Sequence, residues 1–113
     1  MKRVEFVGDS LVALRQFPES ARKEAGVQLH KVQLGLDPSD WKPMVTVGPG
    51  VREIRIRDDA GAFRVLYVAS IGNAIYVLHA FQKKKQQTAK RNIDLAASRL
   101  RQIHGGIHGT SKL

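Results

Sequence analysis

Basic residues recur on three consecutive strand-like runs in the middle of the chain. They are Arg55, Arg57, Arg64, Lys83, Lys84 and Lys85. Successive side chains of a strand emerge on opposite faces, so cations repeated on neighbouring strands build a cationic surface on one face of a sheet. RNA, an extended polyanion, is the natural partner of such a surface. Metal-independent RNA cleavage needs cations around the phosphate, a base for the attacking 2′-hydroxyl and an acid for the leaving oxygen.

Arg64 is the strongest candidate for holding a phosphate, because a guanidinium presents a planar fork of donors and this residue lies on the middle strand. The alternative is an ordinary surface arginine. Arg55 and Arg57 share a strand face with Glu53. These three side chains either form a local ion-pair network, or Glu53 orients Arg55 for catalysis, and the sequence leaves both open.

Three lysines follow directly on an apolar strand, so at least one of Lys83, Lys84 and Lys85 must lie against the end of the sheet. Crowded cations lower one another's pKa, because each positive charge disfavours the next. A lysine shifted in this way can act as a general acid or base, whereas one near the ordinary pKa of about 10.4 only stabilises phosphate charge. The alternative is a solvated turn. Phe81 is either a stacking platform for a base or a core aromatic.

The remaining chemical groups do not complete a site. His79 alternates with Val77 and Phe81, so we interpret it as a satisfied, partly buried side chain rather than a catalyst. His104 and His108 have an H-x3-H spacing, but no carboxylate or cysteine completes a ligand set, so no metal site is predicted. The sequence has no glycine-rich phosphate loop and no paired-carboxylate site, and we therefore predict no cofactor.

Charge is distributed unevenly along the chain. Its 113 residues carry 19 Lys and Arg against 10 Asp and Glu, a net charge of +9, yet residues 1–50 contribute +1 and residues 51–102 contribute +7. One domain is expected at this length. The absence of cysteine excludes disulfides and thiolate metal sites. Without an 18-residue apolar run or a signal peptide, the expectation is a soluble cytoplasmic protein with no membrane partner.

A short strand and two helices are predicted in the first third of the chain. The strand lies around residues 4–6, and the turn at residues 8–10 offers an N-cap for the first helix. Pro18 suits the first turn of the second helix, which buries apolar residues at 4-3-4 spacing. These residues are Ala25, Leu29, Val32 and Leu36.

Three antiparallel strands and a final helix are predicted in the rest of the chain. Residues 37–50 are expected to form an ordered connection in which Trp41 closes an edge of the core. Strands follow at residues 51–57, 62–69 and 74–80. Their connections are too short for crossovers and favour a meander. Thr88 is the candidate N-cap of the last helix. A single domain is predicted over residues 1–103, and residues 104–113 are predicted to be a flexible tail.

Three segments in this order and spacing resemble the RelE/ParE toxin superfamily, and within it the HigB-like, phage-associated branch of type II toxin–antitoxin systems. They are residues 53–57 (EIRIR), 63–67 (FRVLY) and 78–85 (LHAFQKKK). The resemblance implies a small α+β, RelE-like fold. In that fold an N-terminal helical hairpin packs on a small twisted antiparallel β-sheet, and a C-terminal helix follows.

The resemblance also implies a toxin that inhibits translation by cutting messenger RNA on the ribosome, through metal-independent attack of the 2′-hydroxyl on the phosphodiester. By position, the matching catalytic residues are Arg55, Arg64, Lys83 and Lys84. Arg57 and Lys85 would bind RNA or the ribosome, together with Phe81 as the stacking candidate. The chain departs from the RelE pattern in two ways: it has Glu53 where a lysine is usual, and it lacks a tyrosine in the final helix.

The implied partners are the ribosome, messenger RNA and a cognate antitoxin, of the kind that carries a helix-turn-helix domain. Operator DNA would be bound only through the toxin–antitoxin complex. An acidic antitoxin segment gains from the charge of residues 51–102. Two alternatives stay open. One is a non-catalytic, ParE-like inhibitor of gyrase with the same fold, and the other is a basic nucleic-acid-binding module, recognisable by salt-sensitive affinity without growth arrest.

Overall fold

The chain folds into three helices and six strands over the residues that the computed structural model describes, which are 1–106 and the backbone of 110–112. The elements are β1 (Arg3–Val7), α1 (Ser10–Arg15), α2 (Glu19–Gln33), β2 (Trp41–Pro43), β3 (Val51–Asp58), β4 (Gly61–Val68), β5 (Ala74–Lys83), α3 (Lys90–His104) and β6 (Thr110–Lys112). This composition confirms the predicted α+β class. None of the helices within these described residues is long and apolar enough to cross a membrane.

The strands form one mixed sheet in the order β2-β3-β4-β5-β1-β6. β3, β4 and β5 form the antiparallel meander that their short connections predict. β1 lies parallel to β5, so the prediction of an antiparallel sheet is wrong at this pair. A short connection fixes the direction of consecutive strands only, whereas two helices and the meander separate β1 from β5 and leave its direction free.

Helices cover both faces of the sheet. α1 and α2 pack on one face, where the core contains Leu29, Ile54 and Val65. α3 packs on the other face against Leu66 and Leu78. This arrangement follows from the alternation of β3, because Ile54 and Ile56 point toward α1 and α2 while Glu53, Arg55 and Arg57 point to the α3 side.

A β-bulge in β5 decides which side chains face α3. Leu66 is paired with His79 but Tyr67 is paired with Val77, so β5 carries one extra residue between them. Val77 packs in the core under α1 and α2, whereas His79 reaches Asn92 on α3. The prediction that His79 and Val77 share a face is therefore wrong, because simple alternation assumes an uninterrupted strand. Beyond the bulge, the face toward α3 also holds Phe81 and Lys83.

Residues 37–50 contain an edge strand that the sequence did not predict. β2 pairs with the first half of β3, with Trp41 opposite Ile54. The indole is half-buried, and the guanidinium carbon of Arg52 lies 3.9 Å from the ring centroid. The prediction that Trp41 closes an edge of the core is wrong, since it packs against a cation at the surface. Three residues that include a proline carry too little pattern to indicate a strand.

Two helix boundaries also differ from the prediction. α2 ends at Gln33 and Gly35 follows with φ of +83°, so Leu36 lies beyond the helix and is exposed. The other three predicted apolar positions of α2 are buried. α3 begins after Ala89, which is its N-cap, so the prediction of Thr88 as the cap is wrong. The hydroxyl of Thr88 instead binds a side chain on β3.

The end of the chain is only partly described. His104 is the last residue of α3, and Thr110–Lys112 pairs with β1. These described parts of the predicted tail, residues 104–113, are therefore in regular structure. The division into a domain of residues 1–103 and a flexible tail stays a prediction.

Candidate functional site

Glu53 is completely buried and lies at the centre of a cluster of cations on the α3 side of the sheet. Its Oε1 lies 3.5 Å from Nε of Arg64, 3.8 Å from Nζ of Lys42 and 4.0 Å from Nε of Arg55. Its Oε2 accepts a hydrogen bond of 2.8 Å from Oγ1 of Thr88. A carboxylate shielded from water needs such compensation, because its own desolvation costs several kcal/mol. We call these five residues the Glu53 cluster.

The register of the strands brings the cluster together. Arg55 lies directly opposite Arg64 across β3 and β4, and Lys42 lies opposite Glu53 across β2 and β3. Like charges directly opposite one another destabilise a sheet. Glu53, two residues from Arg55 on the same strand face, offsets this repulsion and forms an ion pair with Arg55. That Glu53 orients Arg55 for catalysis stays a prediction.

The contacts inside the cluster are ion pairs rather than tight hydrogen bonds. Oε1 of Glu53 and the Nε atoms of Arg55 and Arg64 are buried, and none of the three makes a hydrogen bond with the described residues. Buried donors without a partner are uncommon in folded proteins and call for an explanation. Here both Nε–H groups lie at ion-pair distance from the Glu53 carboxylate, whose charge compensates their burial.

Arg64 is buried, with 4% of its surface exposed, so the alternative of an ordinary surface arginine is wrong. Its Nη1 donates a hydrogen bond of 3.0 Å to the carbonyl oxygen of Phe63. Burial lowers the pKa of Arg64 from its usual value, and the charge of Glu53 partly offsets that effect. The guanidinium remains protonated in any case, because its ordinary pKa is so high. Arg64 is thus a fixed positive charge beneath the surface.

Lys83 is the lysine that lies against the end of the sheet. It is the last residue of β5, paired with Ala62, and its side chain is half-buried. Burial is the main cause that lowers the pKa of Lys83, and the charge of Arg64 lowers it further while Glu53 opposes the shift. The predicted effect of crowded cations is present, although burial exceeds it. Lys84 and Lys85 follow on the connection to α3 and are exposed.

The other predicted binding residues surround the cluster without joining it. Arg57 is exposed near the end of β3, opposite Ala62. Phe81 lies opposite Arg64 on β5 and stacks on His79, with 5.1 Å between the ring centroids. The structure therefore brings Arg55 and Arg64 to one carboxylate, whose charge also acts on Lys83, and it places Lys84 and Lys85 on the connection that follows β5. The catalytic and binding roles of all seven stay predictions.

His79 is buried, as expected, with 9% of its surface exposed. Its Nε2 lies 2.8 Å from Oδ1 of Asn92, whereas its Nδ1 has no partner among the described residues. Burial is the main cause that lowers the pKa of His79, and the bond to Asn92 opposes the shift. Asn92 also lines a pocket of about 340 Å³ between the end of β5 and the start of α3.

Several members of the site carry no sequence signal that indicates their role. Lys42 lies in a segment that the sequence predicts to be a connection, and Thr88 is predicted to be a helix cap. Asn92 had no assigned role. In the described residues no group of three or more His, Asp or Glu is placed to hold a metal ion, and His108 of the H-x3-H spacing lies outside them.

A comparison with protein families adds one finding. The family model described as "Phage derived protein Gp49-like (DUF891)" matches residues 13–101. The matched range is most of the chain and contains the Glu53 cluster, all seven predicted site residues and Asn92. No curated protein matches the chain.

Proposed function

We propose that this chain is a toxin that cleaves messenger RNA on the ribosome. The chain belongs to the phage-derived Gp49-like family, which is a RelE/ParE-like toxin family of toxin–antitoxin systems. The observation that carries this proposal is the Glu53 cluster. It fixes cations around one buried carboxylate, and Lys83, whose pKa is lowered, lies outside the cluster but feels the charges of Arg64 and Glu53. Metal-independent cleavage of RNA needs charge stabilisation together with groups that transfer protons, and the cluster and Lys83 together have candidates for both.

Arg55 and Arg64 would stabilise the phosphate. About a third of the Arg55 side chain is exposed, so it is accessible to RNA, while Arg64 adds its charge from beneath. Donors that are fixed before the substrate arrives need little reorganisation as charge develops on the phosphate oxygens. Glu53 has two effects in this proposal. It holds both guanidinium groups in place, and its charge compensates the burial of Arg64.

Lys83 would be the base and Lys84 the acid. The lowered pKa of Lys83 increases the fraction of its neutral form, which can accept the proton of the 2′-hydroxyl as that oxygen bonds to phosphorus. The bond from phosphorus to the 5′-oxygen breaks, and the exposed ammonium of Lys84 donates a proton to that oxygen. The products are a 2′,3′-cyclic phosphate and a 5′-hydroxyl end.

The antitoxin partner expected for a family of toxin–antitoxin systems would cover this surface. An acidic segment of such a partner is attracted by the charge of +7 on residues 51–102 and would exclude RNA from the cluster. The toxin would bind operator DNA only through the antitoxin. A ribosomal target places the activity in the cytoplasm. Arg57 and Lys85, both exposed, would contact RNA or ribosome at the border of the site.

The test is brief expression of the chain in bacteria without an antitoxin, followed by mapping of RNA 5′ ends. We expect new 5′-hydroxyl ends within translated frames only. Lys83→Ala should abolish them, because general acid or base catalysis contributes about 10²- to 10⁴-fold. The matched control is Lys90→Ala, an exposed lysine paired with Asp94 outside the cluster, which should retain cleavage.

Two results would contradict the proposal. Growth arrest with intact messenger RNA would indicate a gyrase-type inhibitor. Absence of arrest, together with salt-sensitive binding of nucleic acid, would indicate a binding module.

A further inference from the structure

A second feature of the α3 side is a pocket that Lys83 helps to line. The proposed chemistry uses Lys83 but assigns no role to the pocket itself. Its volume of about 340 Å³ lies within the range of small-molecule sites, about 300 to 1,000 Å³. Its lining includes Phe81, Lys83, Lys84, Gln87, Arg91 and Asn92. An aromatic ring, side-chain amides and cations in one concavity suit three features of a nucleotide, which are the flat face of its base, the polar edge of that base and its phosphate.

The contact between His79 and Asn92 determines which hydrogen-bonding groups of the Asn92 side-chain amide are available to a ligand in the pocket. Oδ1 of Asn92 can only accept, so the proton that lies between these residues belongs to Nε2 of His79. The carbonyl of the amide is therefore occupied. The NH₂ group of the same amide carries two N–H donors that the contact with His79 does not use.

Phe81 completes the arrangement. Its ring is half-buried and lines the pocket, and it stacks on His79 at an interplanar angle of 27°. His79 thus supports both groups, since it binds the amide of Asn92 and packs against the aromatic ring. A ring supported in this way is a stacking platform, and every base presents a flat face to such a platform.

We propose that this pocket binds one nucleobase of the RNA beside the cleaved phosphate, stacked on Phe81 and recognised by the amide NH₂ of Asn92. The inference rests on the proposed function, because Lys83, the proposed base, also lines the pocket. Asn92 is a specificity-determining residue in this scheme and His79 is a positioning residue. Phosphate contacts alone carry no sequence information, whereas a donor aimed at a base edge does.

The first test measures cleavage by the purified protein on ribosomes programmed with messenger RNAs that differ in a single base at the cut site. We expect a base preference in the wild type. Asn92→Ala should lower cleavage at the preferred base about tenfold and leave the other bases less affected, since a good contact to a base edge discriminates by about that factor. Asn92→Asp retains the acceptor for His79 but replaces the donor, so it should change which base is preferred.

The matched control is Asn73→Ala, an exposed asparagine in the connection between β4 and β5, which should leave the preference unchanged. Thermal unfolding of each variant separates a loss of fold from a loss of recognition. His79→Leu, which has no donor for Asn92, should weaken the preference without abolishing cleavage, because the amide loses its fixed orientation. Unchanged preference in both Asn92 variants would overturn the proposal.

The second test does not need activity. The side-chain amide signal of Asn92 is followed by NMR while each of the four nucleoside 5′-monophosphates is added to the wild-type protein at millimolar concentration. We expect this signal to shift with nucleotides and not with inorganic phosphate. Equal shifts with phosphate, or no shift with any nucleotide, would overturn the pocket. A nucleotide response in a protein that cuts no RNA would refute the proposed function and retain the pocket.

Discussion

The two faces of the sheet are built differently. Under α1 and α2 the strands present mainly apolar side chains, including Ile54, Val65 and Val77, and this face is a continuous core. On the α3 side, apolar packing is confined to one part, which includes Leu66 and Leu78. The rest of that face holds the buried charges of the Glu53 cluster. The difference teaches that one face is stabilised by continuous apolar packing, while part of the other depends on compensated buried charges, which we propose as the catalytic site.

The largest expected effect comes from removing the central carboxylate. Glu53→Ala leaves the buried Arg64 without the carboxylate that compensates it, whereas the partly exposed Arg55 keeps Asp40 at 4.0 Å. Breaking a buried ion pair by removing one partner costs about 3 to 5 kcal/mol. We therefore expect the free energy of unfolding, measured by urea titration, to fall by about that amount.

The matched control for that experiment is Glu19→Ala, which removes an exposed carboxylate paired with Lys23 and should change stability little. A loss of stability as small in Glu53→Ala as in the control would show that the cluster is solvated and would remove the contrast between the two faces.

The next effect tests the apolar face. Leu29 on α2 is almost completely buried, and Leu29→Ala should lower the free energy of unfolding by about 2 to 5 kcal/mol. Because this side chain is on the face away from the cluster, the folded variant should cut RNA at the wild-type rate. Activity measured well below the unfolding temperature checks this expectation. Exposed Leu34→Ala is the control, and loss of cleavage by folded Leu29→Ala would show that the two faces are coupled.

A smaller effect is expected at the connection that covers the cluster. Thr88→Val keeps the shape of the side chain and removes its hydrogen bond to Glu53, which should cost about 1.5 kcal/mol for a bond to a charged acceptor. Thermal unfolding measures the change. Thr46→Val, in an exposed position, is the matched control. Equal unfolding temperatures for the two variants would mean that water replaces the lost bond.

The success of the sequence predictions also differs between local and distant contacts. The helices and the meander were predictable because turn residues and apolar periodicity act over a few positions. Thr88 and Glu53 are 35 residues apart, and no local pattern indicates their hydrogen bond. Lys42 depends on the pairing of a three-residue edge strand, and His79 depends on a bulge. The residue types at the site and the place of Glu53 beside Arg55 were therefore predictable, but the burial of Glu53 and its contacts with distant residues were not.

The smallest expected effect is a pH dependence located on the α3 side. Burial lowers the pKa of His79 below the ordinary 6.5, while Asn92 and Asp9 oppose the shift and Arg99 adds to it. The unfolded chain then binds the proton more readily than the folded chain. The contribution of neutral His79 to stability is therefore complete above pH 6.5, and it decreases as the pH falls from 6.5 through the lower pKa of the folded state. Asp9, whose pKa is also lowered, acts in a separate window below 3.8.

His79→Gln should remove the part of the pH dependence that lies near and below pH 6.5. The measurement is the free energy of urea unfolding as a function of pH, for the wild type and the variant, with the difference between the two curves as the readout. Glutamine cannot titrate but retains an NH₂ donor for Asn92. If the difference in unfolding free energy between the wild type and the variant stays constant over this pH range, His79 is in contact with water. The contrast between the two faces of the sheet would then be confined to the Glu53 cluster.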